Sequence, residues 1–286
     1  MSFVRVVILT LLSMVAFAAN SLLCRLALRA AKIDAASFTS IRMVSGALAL
    51  LLIVWLRSKQ FRSAGNWPSA VALFVYAAAF SFAYVSLPAG TGALLLFAAV
   101  QTTMIGYGIY IGERFAARQW LGFACALSGL VGLLLPGLSA PPPGGAALML
   151  VAGIAWGIYS LRGRGARNPT LETAGNFARA VPFAAALSAA TGMHATLDYH
   201  GFVYAAVSGV VTSGIGYVLW YAALPELKAA NAATVQLSVP VIASIGGIAF
   251  LGESLTLRSA LASVAILGGI AMVVAGGRRV AVAKKR

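Results

Sequence analysis

The segments IGYGIYIGERFAARQWLGFACALSGL (residues 105–130) and IGGIAFLGESLTLRSALASVAILGGI (residues 245–270) decide how this chain is read, because they are two copies of one pattern. A shift of 140 residues superposes Ile105, Gly106, Gly112, Glu113, Arg118, Leu121, Leu127 and Gly129 on Ile245, Gly246, Gly252, Glu253, Arg258, Leu261, Leu267 and Gly269. With a shift of 137, Arg42, Val44, Ala47, Ala49 and Leu50 meet Arg179, Val181, Ala184, Ala186 and Leu187, while Tyr84, Leu87 and Pro88 meet Tyr221, Leu224 and Pro225. The three-residue change falls between apolar runs, where an insertion is tolerated. Small and branched apolar residues coincide easily, but paired Gly-Glu dipeptides and paired arginines inside apolar runs are rare in membrane helices.

Outward from these segments, runs of roughly 20 mostly apolar residues, the length that crosses about 30 Å of hydrocarbon, fill the chain. They lie near 3–24, 35–56, 67–87, 91–111, 117–135, 146–161, 171–191, 202–224, 229–250 and 257–275. The 286 residues are 61% hydrophobic and carry 21 Lys+Arg against 6 Asp+Glu, and the mean hydropathy is +0.92. No water-soluble domain of this size has a surface for that composition, so a soluble enzyme is excluded. The expected fold is an all-α integral membrane protein of ten transmembrane helices. Gly137 to Gly145 (GLSAPPPGG) cannot continue a helix and reads as a solvated linker. It separates a first repeat, 1–136, from a second, 146–277, which is followed by a basic tail, 278–286. Five spans per half is an odd number, so the halves enter the membrane in opposite directions. Many secondary transporters use such an inverted repeat to open one central site to either side in turn.

The net charge of +15 is no sign of nucleic-acid binding, since the basic residues stand in small groups between spans. With the N-terminus cytoplasmic, the inner segments hold Arg5; Arg57, Lys59 and Arg62; Arg114 and Arg118; Arg162, Arg164 and Arg167; Lys228; and Arg278, Arg279, Lys284, Lys285 and Arg286, fifteen in all. The outer segments hold Arg25, Arg29, Lys32 and Arg258, only four. That asymmetry predicts both termini in the cytoplasm of a bacterial-type inner membrane. The first span, with Asn20 and Arg25 at its far end, is too long for a cleaved signal peptide and is expected to be retained.

Several motifs together resemble a known family. They are the five plus five spans, the Gly112-Glu113 and Gly252-Glu253 pairs closing the fourth and ninth, and Arg42 and Arg179 early in the second and seventh. The first and sixth spans add Ala16-Phe17-Ala18-Ala19-Asn20 and Ala155-Trp156-Gly157-Ile158-Tyr159. Over the whole chain this pattern resembles the EamA branch of the drug/metabolite transporter superfamily, and within it the YddG-type exporters of aromatic and other amino acids. Phe17-Ala18 stands where the family has Trp-Gly, and Val100 in the fourth span corresponds to Pro240 in the ninth, so only one half keeps the proline. The resemblance implies a cavity at the repeat interface, lined by spans one, three, four, six, eight and nine.

The residues supply matching stripes. Tyr76, Phe80 and Tyr84 recur every four positions on the third span, and Ser213, Tyr217 and Tyr221 take the equivalent places on the eighth. Phe17 and Asn20 on the first span pair with Trp156 and Tyr159 on the sixth. With Gln101, Asn176 and Gln236 these residues predict an aromatic chamber with a few neutral hydrogen-bonding groups, suited to an amphipathic solute. Helix packing and lipid contact are the competing roles for each ring. Arg42 and Arg179, the charges well inside spans, serve either structure, by binding carbonyls of neighbouring helices, or a substrate carboxylate. Pro240, Gly246 and Gly247 are the expected bending points.

Absences narrow the chemistry. All six acids lie at span ends or in loops, which leaves no midplane carboxylate of the kind a proton-coupled cationic-drug carrier needs. His194, Asp198 and His200 share an outer loop without a fourth ligand, so no metal site and no cofactor is expected. Cys24 and Cys125 lie in different spans and imply no disulfide framework, and no catalytic constellation appears. Small residues on the fifth span (Ala124, Ser128, Gly132) and the tenth (Ala265, Gly269) permit internal packing or a homodimer face, leaving monomer and dimer both open. The expectation is an exporter of amino acids or similar small metabolites by alternating access. An exporter of a nucleobase or sugar is the alternative within transport, and a membrane receptor or scaffold the alternative outside it.

Overall fold

The computed structural model describes residues 2–29, 33–58, 64–112, 115–137, 139–163, 166–192, 196–227 and 235–283, with backbone alone at 58 and 276–283. Glu113, Arg114, Lys32, Lys59, Arg62, Arg164, His194, Lys228, Lys284, Lys285 and Arg286 lie outside the described residues. The described chain is helical apart from turns and one isolated bridge between Ile33 and Leu197. Its ten helices are α1 Phe3–Arg29, α2 Ala35–Ser58, α3 Trp67–Tyr84, α4 Ala89–Tyr110, α5 Ala117–Leu134, α6 Pro143–Arg162, α7 Pro169–Thr191, α8 Tyr199–Glu226, α9 Ser238–Leu251 and α10 Leu257–Ala283.

Eight of them are long and apolar enough to cross a membrane. Helix α9 is apolar but only 14 residues long as described. The 23-residue α7 is long enough but carries Thr170, Glu172, Thr173, Asn176 and Arg179 in its first half, which lowers its hydropathy. Side chains with local hydrogen-bonding capacity set the helix starts. The Asn66 and Asn168 side chains accept from Ser69 N and Leu171 N, each just ahead of a proline in the first turn. Asp198 accepts from Gly201 N, and Asp34 Oδ1 from Ala36 N and Ser37 N. Gly112 (φ 91°) and Gly252 (φ 62°) end α4 and α9 in the left-handed region, where glycine carries no Cβ penalty. The glycine of each Gly-Glu pair is thus a helix stop.

Packing follows a two-fold rule. Helix α2 packs on α7, α5 on α10 and α4 on α9, each with its own repeat equivalent. The remaining large contacts come as exchanged pairs: α3·α6 with α8·α1, α4·α6 with α9·α1, and α2·α8 with α7·α3. This is the contact pattern of two interlocked five-helix repeats. Turns after odd-numbered helices gather at one end. There Arg25 reaches Tyr84 O and Val85 O, Asp34 N donates to Thr196 O, and Arg258 donates to Leu135 O. Turns after α2 and α6 meet at the other end, where Arg162 donates to Ser69 Oγ and Asn66 Oδ1.

The α5–α10 contact is backbone-close. A Cβ on Gly122 would lie 2.6 Å from Gly269 O, and one on Gly129 would lie 2.7 Å from Ala265 Cβ. Ala265 and Gly269 therefore belong to an internal interface, whereas Ala124 and Ser128 are exposed and Gly132 has nothing near its missing Cβ. Both cysteines are free.

Candidate functional site

Where α1, α2, α3, α6 and α8 converge, the predicted aromatic residues meet. Trp156 is the hub, with ring centroids 4.8 Å from Tyr76, 5.4 Å from Tyr159 in a stacked arrangement, and 5.2 Å from Tyr217. Tyr217 also touches Phe17 at 5.8 Å and Phe177 at 6.0 Å, and Phe17 touches Trp220 at 6.1 Å. Along α3 the chain of contacts continues from Tyr76 to Phe80 at 5.5 Å and from Phe80 to Tyr84 at 4.7 Å. Both repeats contribute rings, and the rings fill the centre of the molecule.

A polar seam runs beside this cluster. It depends on an irregularity in α8, whose residues Ser208–Ile215 are π-helical. An extra residue per turn re-aims side chains, and such segments often mark functional positions. Here it brings Ser208 Oγ and Thr212 Oγ1 to Asn20 Oδ1, at 2.7 and 3.1 Å, and Ser213 Oγ to Arg42 Nε at 3.1 Å. Gly209 makes the approach feasible, since a Cβ there would lie 2.5 Å from Arg42 O and 2.9 Å from Gly46 N.

Arg42 sits about 10 Å into α2 at 1.5 Å per residue and is fully buried. Nη2 donates to Tyr76 Oη at 3.1 Å, and the guanidinium carbon lies 5.2 Å from the ring centroids of both Tyr76 and Phe80. Nη1 is buried with no hydrogen-bond partner. No acid among the described residues pairs with it. Asp34 and Asp198 cap helices, Glu172 lies in the first turn of α7, Glu226 closes α8, and Glu253 pairs with Arg25 at 3.2 Å. Cation–π contact returns about 0.5–2 kcal/mol, less than the several kcal/mol that burying an uncompensated charge costs. Its repeat equivalent differs: Arg179 Nη1 donates to Ala64 O at 2.7 Å and to Gly175 O at 3.0 Å, tying α7 to the segment before α3.

The other predicted positions divide. Asn176 donates to Tyr159 Oη at 3.4 Å and accepts from Asn66 N at 3.0 Å. Tyr159, Asn176 and the half-buried Tyr221 line a small recess with Ser69, Arg162 and Thr173 towards the end where α6 finishes. Tyr84 faces elsewhere, donating to Ala89 O at 3.2 Å and packing on Gly92, so its hydroxyl fastens the α3–α4 turn. Gln101 is buried on α4 and Gln236 is half-buried just before α9. Pro240 lies in the first turn of α9, where its missing N–H costs little. A Cβ on Gly246 would overlap Leu22, and one on Gly247 would lie 2.6 Å from Glu253 Oε2, so both glycines admit close contacts of α9. The readings of sequence missed Ser208, Thr212, Phe177 and Trp220. Trp220 follows Tyr217 at helical spacing, which was the one available signal.

At the odd-helix end Glu253 explains the second half of its Gly-Glu pair. Its Oε2 accepts from Ala89 N at 2.8 Å, supplying the cap that Pro88 cannot give α4, while its Oε1 holds Arg25. Asp34 stands nearby in sequence to the same end. Burial raises its pKa, but hydrogen bonds from Ser37, Thr196 and Ala36 outweigh this and hold the carboxyl below its ordinary value.

Comparison with known proteins agrees with this architecture. The chain is 55% identical over 272 residues to an uncharacterized protein of Pseudomonas aeruginosa, covering 95% of each. It is 28% identical to a probable terminal-alkyne amino-acid exporter of Streptantibioticus cattleyicolor, over 64% of this chain and 63% of that one. It is also 28% identical to the threonine/homoserine exporter RhtA of Salmonella typhimurium, over 60% and 63%. A crystal structure superposes on 97% of the chain and 100% of its own with a TM-score of 0.67 at 17% identity, a likeness of fold. The EamA-like transporter family matches twice, over residues 4–135 and 143–275, once per repeat, and this multi-pass membrane protein belongs to that family.

Proposed function

We propose that this protein is an inner-membrane exporter of amino acids, aromatic and other neutral ones among them, or of similarly small metabolites, working by alternating access. The observation that carries the reading is the aromatic cluster around Trp156, drawn from both repeats and flanked by Asn20 and the unpaired Nη1 of Arg42. Rings bind the apolar part of an amphipathic solute, and a few placed polar groups orient it. The names of two relatives, both amino-acid exporters, support the substrate class. Opening to one side requires the odd-helix end, held by Arg25 and Glu253, to part while the other end closes, with α9 bending near Pro240, Gly246 and Gly247.

The test is counterflow in liposomes containing purified protein and preloaded with unlabelled solute. Labelled tryptophan should enter against its own gradient, with little response to an imposed pH gradient, since no described carboxylate lies in the seam. Absence of exchange for every amino acid tried would remove the reading. Orientation is tested separately. In a background lacking Cys24 and Cys125, Ser139→Cys should label in intact cells and Arg62→Cys only after permeabilisation; the reverse result would invert the topology.

A further inference from the structure

The hydrogen-bonding inventory around Arg42 specifies the charge of a ligand as well as its shape. Asn20 Oδ1 accepts from Ser208 Oγ at 2.7 Å, and Thr212 Oγ1 divides its single proton between Asn20 Oδ1 at 3.1 Å and Ser208 O at 2.7 Å. Tyr76 Oη accepts from Arg42 Nη2 at 3.1 Å and from Asn20 Nδ2 at 3.4 Å, which fills its lone pairs and leaves its own proton to give. Ser213 Oγ accepts from Arg42 Nε and likewise keeps a proton to give. Arg42 Nη1 contributes buried N–H groups without a partner. Unspent donors therefore surround the Arg42 guanidinium, whereas the acceptor capacity left beside it is a lone pair on Ser213 and the share of Asn20 Oδ1 that Thr212 leaves free. A carboxylate has only acceptors and fits this set; an ammonium has only donors and does not. The charge balance agrees, because Arg42 is buried without an acid among the described residues, and a monoanion neutralises it while a zwitterion leaves the site cationic.

Resting on the reading of this cluster as the transport site, we infer that it binds aromatic monocarboxylates lacking an amine in preference to the zwitterionic amino acids with the same ring. The carboxylate lies on Arg42 Nη1, Tyr76 and Ser213, and the ring takes its place among Tyr76, Trp156 and Tyr217. Entry separates rings that now touch, so Trp156 and Trp220 report binding through their emission.

The experiment is quenching of tryptophan emission in the purified full-length protein at neutral pH, with 3-phenylpropionate, L-phenylalanine and L-phenylalaninamide as probes. The expected order is 3-phenylpropionate at least tenfold tighter than phenylalanine, with no saturable binding of the amide. Arg42→Gln should erase the advantage of 3-phenylpropionate. If that variant does not fold, Tyr76→Phe, which removes one donor, should weaken 3-phenylpropionate several-fold. Phenylalanine binding as tightly as 3-phenylpropionate, or no binding of any probe, overturns the inference. Should liposomes exchange tryptophan while 3-phenylpropionate neither binds nor competes, the transport reading stands and this inference alone falls. Saturable binding of 3-phenylpropionate to protein that moves no solute keeps the ligand class and removes the transport reading.

Discussion

Arg42 and Arg179 occupy the same place in two copies of one repeat, on helices that pack against each other. Arg179 spends its Nη1 on two backbone carbonyls, of Ala64 in the segment before α3 and of Gly175 one turn back on its own helix. Arg42 faces two hydroxyls and two aromatic rings, and its Nη1 bonds to nothing. A carbonyl anchor stabilises by satisfying groups that burial would leave orphaned. An orphaned guanidinium edge destabilises the fold and is retained only if something else uses it. The inverted repeat has thus kept the residue and divided its work.

The largest effects separate those two roles. Arg42→Gln should reduce transport per folded molecule at least a hundredfold, because it removes a buried charge whose Nη1 has no partner; flux and size-exclusion profile check this together. Arg179→Gln should do the opposite, costing about 1–3 kcal/mol as a carbonyl loses its donor, read as a lower Tm in detergent with flux per folded molecule largely kept. If both variants fail in the same way, the division of roles is wrong.

The two ends of the molecule extend the comparison. Arg25, equivalent to Arg162 by the shift of 137, has an acid partner in Glu253, while the described partners of Arg162 are the neutral Ser69 and Asn66. Glu253→Gln should loosen the odd-helix end and make Ser86→Cys label several-fold faster, and Arg162→Gln should change its own end less. Smaller still, Trp156→Ala should weaken tryptophan uptake several-fold relative to alanine uptake, since each ring contact is worth about 0.5–1.5 kcal/mol beyond burial. Equal loss for both solutes would indicate packing damage. The smallest effect belongs to Asp34. Its pKa is depressed in the folded state, so its contribution is present above the ordinary carboxylate pKa and is lost as pH falls through the depressed value. Asp34→Asn should remove the part of the acid-induced fall in Tm that occurs below about pH 4.

Sequence alone reached the fold because the signals there are local. Glycines in the left-handed region, Asn and Asp caps and prolines in first turns punctuate the helices, and the Gly-Glu pairs reveal the repeat. The first helix ran five residues past its expected end, from 24 to Arg29, since neither Arg25 nor Arg29 breaks a helix. Four-residue spacing found the stripe of Tyr76, Phe80 and Tyr84, but spacing does not tell a hydroxyl that faces the seam from one that fastens a turn, as Tyr84 does. The π-helical stretch of α8 was illegible because it rests on backbone contact between Gly209 and α2, far away in sequence. The contrast between Arg42 and Arg179 was illegible for the same reason: Ser213 is 171 residues from the arginine it meets.

The most direct measurement is substrate protection of a thiol in the seam. Ser213→Cys, in a background lacking Cys24 and Cys125, places a near-isosteric thiol beside Arg42. The account predicts that a small water-soluble thiol reagent modifies it in active liposomes, that saturating substrate slows the reaction at least fivefold, and that adding Arg42→Gln abolishes the protection. A thiol that never reacts, or one that reacts at the same rate with and without substrate, would contradict the placement of the transport site at Arg42.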